Sequence, residues 1–172
     1  MPDITEILKR AKPRQKSVFI CLAGDDLAEL DKLERQLADL AEGWKPDSLG
    51  AANPAEKINK QIQAVRTRMK KGETEFRFQA LGDKAWSDLV AAHPSAKEHE
   101  TWDPDTFPKA LVSTCCVDPV MTPEQAAELF EVLNEGQREE ITQAAYDVNA
   151  QVTTVPFSFS ASAMLAGLTA GK

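Results

Sequence analysis

The sequence predicts a mainly α fold with a minor β component, and three observations carry that prediction. Leucines and isoleucines recur at steps of three and four through residues 25–72, which is helical spacing. Two short β-branched or aromatic runs, Ser17 to Leu22 and Glu73 to Leu81, flank that region directly. From Asp83 onward, apolar residues return at helical spacing in four successive blocks. The expected arrangement is an N-terminal helix and a two-stranded antiparallel ribbon, interrupted by a long antiparallel helical hairpin (25–72). A compact C-terminal helical bundle (82–149) and a flexible tail (150–172) follow, giving divisions at 1–81, 82–149 and 150–172.

The first helix is expected after Asp3, with Glu6 three positions on and Ile4, Ile7 and Leu8 on one face. Pro13 ends it. SVFICL (17–22) reads as a short buried strand. In the hairpin, Leu27, Leu30, Leu33, Leu37 and Leu40 form one seam, and Gly43 is a natural end. Ile58, Ile62, Val65 and Met69 form the facing seam, closed by Gly72. ETEFRFQAL alternates, with Phe76, Phe78 and Ala80 on the face that needs covering. A two-stranded ribbon is marginal alone, so the C-terminal half is expected to pack on that face.

That half begins with a helix expected to be capped by Asp83 and carrying Trp86, Leu89 and Val90. Pro94 disfavours helical geometry at His93, so the helix should stop there. A helix from about Asp105 carries Phe107, Leu111, Val112 and Cys115. Thr122-Pro123-Glu124-Gln125 is a capping-box start, leading to Ala126, Leu129, Phe130 and Leu133. Asn134-Glu135-Gly136 should break the chain before a last helix from about Gln137, carrying Ile141, Ala144, Ala145 and Val148. Beyond Asn149 the sequence is rich in Thr, Ser, Ala and Gly, without charge until Lys172.

The 172 residues carry a net charge of -7, distributed by segment. Residues 1–22 hold five basic and two acidic side chains, and residues 23–53 hold three and eight. Residues 54–72 hold six and one, and the remainder six and sixteen. The acidic and basic hairpin helices should therefore attract each other. The overall balance argues against general nucleic-acid binding. No apolar run is long enough for a membrane span, the N-terminal stretch lacks a secretory pattern, and three cysteines make no disulfide framework. A cytoplasmic protein is expected.

His93, His99, Cys115 and Cys116 could in number make a zinc site, but no C-x-x-C or H-x-x-x-H spacing places two of them on one face. Nor is there a GxGxxG, a phosphate-binding loop or the motif around a Cys–His nucleophile. Neither catalytic residues nor metal ligands nor a cofactor are expected. His93 reads as a helix end, His99 as a solvated loop residue and Cys115 as a small hydrophobe. Trp44 and Trp102 lie in loops, where each either folds back on a helix end or meets a partner.

From Thr74 to Asn149, TEFRFQAL, KAWSDLVAAHP and DPDTFPKALVSTCCVDPVMTPEQAAELFEVLNEGQREEITQAAYDVN occur in that order. This order resembles the tail assembly chaperones of actinobacterial phages and prophages, which are related in role to the lambda-like tail chaperones. The resemblance implies a non-enzymatic assembly factor in the host cytoplasm, absent from the mature virion. Its implied partners are the tape measure protein, kept soluble, and the tail tube protein that polymerises around it. A further copy of itself, or a longer frameshifted product, completes the set. Gly171-Lys172 is a dipeptide that a slippery heptamer would encode. Trp102, Phe157 and Phe159 are the expected protein-binding residues. The alternative readings are a structural phage component, such as a connector or minor tail protein, and a thiol or metal enzyme.

Overall fold

The computed structural model describes residues 3–43, 45 and 53–153. Among them the chain forms α1 (Ile4–Arg10), β1 (Gln15–Cys21), α2 (Gly24–Gly43), α3 (Pro54–Lys71) and β2 (Glu73–Gln79). Then follow α4 (Asp83–Ala92), α5 (Phe107–Cys115), β3 (Cys116–Asp118), α6 (Pro123–Val132) and α7 (Glu135–Ala150). The fold is mainly helical with a small antiparallel sheet, as the periodicity indicates.

β1 and β2 pair antiparallel, with Val18 opposite Phe76 and Lys16 opposite Phe78. The sheet has a third strand that the sequence reading lacks: β3 pairs with β2, giving the order β1-β2-β3. Three residues are too few for a period to show, and Cys115 draws the eye as the end of a helical seam. The chain changes from helix to strand between the two cysteines, so they are not neighbours on one helix. Both are buried nonetheless.

The Phe76/Phe78 face is covered as expected. Val18, Ile20, Phe76 and Phe78 share one core with Leu111, Val112 and Cys115 of α5 and with Ile141, Ala144, Ala145 and Val148 of α7. The paired alanines let α7 approach the sheet closely. This single core spans the 81/82 division. Around Phe107 an aromatic group closes one end: Trp102 stacks on it at 4.4 Å, and Trp86 meets it edge-on at 6.1 Å.

The hairpin has its own small core of Leu33, Ile62 and Val65, with Leu30, Leu37, Ile58 and Met69 partly buried against it. Charge segregation appears as pairs between the helices, Arg66 with Glu34 and Arg68 with Asp26 and Glu29. All of these groups but Asp26 are about half-exposed, so each pair contributes at most about 1 kcal/mol, and the apolar seam dominates.

Helix starts and ends show where local signals prevail. Thr122 and Gln125 form the expected capping box. Asn134 and Gln137 form a second, so α7 starts at Glu135 and Gly136 lies inside its first turn rather than in a break. Asp83 is the first residue of α4, and Gly82 holds the cap position. His93 ends α4 as expected. Its ring nitrogen Nδ1 lies 3.0 Å from the Thr106 hydroxyl rather than on a helix carbonyl.

Candidate protein-binding surface

β1 has α7 on one face only. Its alternation therefore buries Val18 and Ile20 and leaves Phe19 on the opposite face, 57% exposed. SVFICL is thus half-buried, not buried: an apolar run in a sheet covered on one side must show some of its side chains. Just beyond β1, Leu22 and Leu27 are also exposed. Leu27 belongs to the predicted seam by spacing, yet it lies outside the hairpin core. Val132, the last residue of α6, is 80% exposed.

These four side chains converge. With Met69 they line a cleft of about 380 Å³ between the edge of β1 and the start of α7. The corner is fastened by Gln137, whose Nε2 donates to the Cys21 carbonyl at 2.9 Å. Glu140 is the charged residue in the lining. Glu73 and Glu75 sit across from Cys21 and Phe19 in the register, and Asp25 lies in the first turn of α2. Lys70 and Lys71 line a separate groove with Gln63, Arg66 and Thr67. The cleft therefore pairs an apolar wall with a polar one of Asn134, Gln137 and Glu140, and has acidic residues beside it, suited to an amphipathic segment carrying basic residues.

A second concentration of apolar surface is α1. Ile4, Ile7 and Leu8 share one face of this helix, all are exposed, and α1 buries no residue. Together, α1 and the cleft account for seven of the ten exposed large apolar side chains among the described residues. By contrast, the groove of about 590 Å³ beside α5, α6 and α7 is lined largely by charged residues, including Asp105, Lys109, Glu131 and Arg138.

Of the expected binding residues, Trp102 is half-buried and stacked on Phe107, with Tyr146 at 5.8 Å. It folds back on the start of α5 and is not part of the cleft. Phe157 and Phe159 lie outside the described residues, as does Trp44. His99 is exposed in the loop after α4.

Burial pushes the Cys115 and Cys116 thiols up. Cys115 also accepts a hydrogen bond from Asn149 Nδ2 at 3.3 Å. The same asparagine takes the Leu81 backbone N–H at 2.8 Å, which gives the Val148-Asn149 terminus of the resemblance a structural role. Among the described residues no three His, Cys, Asp or Glu side chains are grouped to hold a metal, and no helix is long and apolar enough to cross a membrane.

Sequence reasoning missed Phe19, Leu22, Leu27 and Val132 because each was absorbed into an element or left beside a seam. One signal could have found Phe19: a strand with adjacent large apolar residues cannot bury all of them under a single layer of helices. The chain matches no family model, no curated protein and no solved structure.

Proposed function

We propose that this protein is a phage tail assembly chaperone that binds the tape measure protein, keeps it soluble and promotes tail tube polymerisation around it. The order of motifs from Thr74 to Asn149 is the ground for the family. The cleft at the base of the hairpin, with its exposed apolar wall of Phe19, Leu22, Leu27 and Val132 and acidic residues beside it, is the observation that supports a binding role. A tape measure protein is long, helical and apolar, and its isolated helices need their apolar stripes covered. An amphipathic helix lays such a stripe into a groove of this kind. Basic residues flanking the stripe would meet Glu73, Glu75 and Glu140.

Two measurements test this. The tagged protein should capture the tape measure protein from cells producing both, and purified virions should lack the chain. Finding it as a stoichiometric virion component would favour a connector or minor tail protein instead. Failure to capture the tape measure protein would reject the chaperone reading.

A further inference from the structure

α1 presents a second puzzle, and the cleft supplies its answer. Isolated helices shorter than about 12–15 residues are marginal in water, so seven residues with no buried side chain need a surface to lie on. The helix carries an apolar face of Ile4, Ile7 and Leu8, followed by Lys9, Arg10, Lys12 and Arg14. This is the chemistry the cleft calls for, an apolar helix face with basic flanks against an apolar wall with Glu140, Glu73 and Glu75 beside it.

In this structure α1 does not occupy its own cleft: Ile4, Ile7 and Leu8 stay exposed, and none of them lines it. Arg14 is pinned at the start of the sheet: its carbonyl accepts from Ala80 N–H at 2.9 Å, and its guanidinium donates to the Gln151 carbonyl at 2.9 Å. The stretch from Arg14 back to Arg10 spans at most about 14 Å when fully extended. Leu22 lies about 26 Å from Arg14 along the strand, at about 3.3 Å per residue. Pointed straight along β1, Ile7 and Leu8 come level with Phe19, about 17 Å from Arg14, and stop short of Leu22.

A second copy removes the difficulty. β1 is an edge strand, paired on one side by β2 and with no strand on its other side among the described residues. Two such edges set antiparallel about Val18 bring Arg14 of one copy opposite Leu22 of the other. The short linker then suffices to lay each α1 on the other copy's cleft. The arrangement is twofold and closed, with the same contact made twice.

We propose that this protein forms a twofold homodimer in which α1 of each copy docks through Ile4, Ile7 and Leu8 into the Phe19–Leu22–Leu27–Val132 cleft of the other. The proposal rests on the cleft being a groove for an apolar helix, not on the identity of the client, and it is tested with no client present.

The full chain is examined by sedimentation equilibrium together with Ile7→Asp/Leu8→Asp, Val132→Asp, the charge reversal Lys9→Glu/Arg10→Glu, and a chain ending at Thr153. The substitutions lie at exposed positions, and circular dichroism checks that each variant remains folded. The wild type should be dimeric, and each α1 or cleft variant should weaken dimerisation by about a hundredfold or more. Mixing the α1 double variant with Val132→Asp should restore dimers, because one helix and one cleft remain intact between them. A monomeric wild type at high micromolar concentration would overturn the proposal. So would dimers indifferent to both α1 and cleft changes. Dimers lost only on removing residues 154–172 would assign the interface to the tail instead.

Discussion

Asp147 is 6% exposed and carries a charge inside the α7–β1 contact. Lys16 donates to it at 2.6 Å and Gln143 at 2.7 Å. The Lys16 hydrogen bond holds its carboxyl below the usual aspartate range, with burial opposing and Gln143 assisting. A folded-state pKa that is depressed contributes stability above the unfolded value of about 3.9, and that stability is lost as pH falls through the folded value. Asp147→Asn should therefore cost about 1–3 kcal/mol at pH 7 and flatten the loss of stability on acidification below about pH 4. Urea unfolding at a series of pH values reads both effects. At the same scale, Trp102→Ala should lower stability by about 1 kcal/mol or more, because it removes the stack on Phe107. It should leave client capture unchanged, and a capture defect in a stable variant would restore Trp102 as a contact residue. Iodoacetamide should modify Cys21, which is partly exposed, well before Cys115 and Cys116, which are buried. The latter two should react only on unfolding.

Among the elements, the hairpin separates apolar from ionic contributions. Ile62→Ala empties part of a three-residue core and should destabilise α2 and α3 by about 2–4 kcal/mol. Arg66→Ala removes an exposed pair with Glu34 and should cost less than about 1 kcal/mol. Hydrogen exchange of the hairpin amides distinguishes the two, and equal effects would contradict the dominance of the seam. The hairpin was legible because five leucines at helical spacing over nearly four turns have few other readings. Thr122-Pro123-Glu124-Gln125 was legible for the same kind of reason, since its side chains bond their own backbone. Asn134-Glu135-Gly136-Gln137 is an equally local capping box, hidden by a glycine that usually marks an end. β3 was not legible, because its pairing with β2 is a long-range fact that three residues cannot announce.

For the whole molecule, one core joins the sheet to the helices after it, and the hairpin extends from that core with a smaller one of its own. The sequence exposed most of the elements and the helices that cover Phe76 and Phe78. It did not expose the cleft, which depends on which face of β1 stays bare and on where α6 ends relative to α2. Side chains assigned to interiors by spacing became surface only once the layers were placed. Phe19 is the plainest case, and Val132, left beside a seam by the spacing, is exposed with it. Their position makes the central claim testable with little risk to the fold, since neither contributes to a core. The decisive measurement is the soluble yield of the tape measure protein co-expressed with the wild type or with Phe19→Asp/Val132→Asp. The account predicts soluble tape measure protein with the wild type and its loss to the pellet with a folded double variant. Equal soluble yield in both would contradict it.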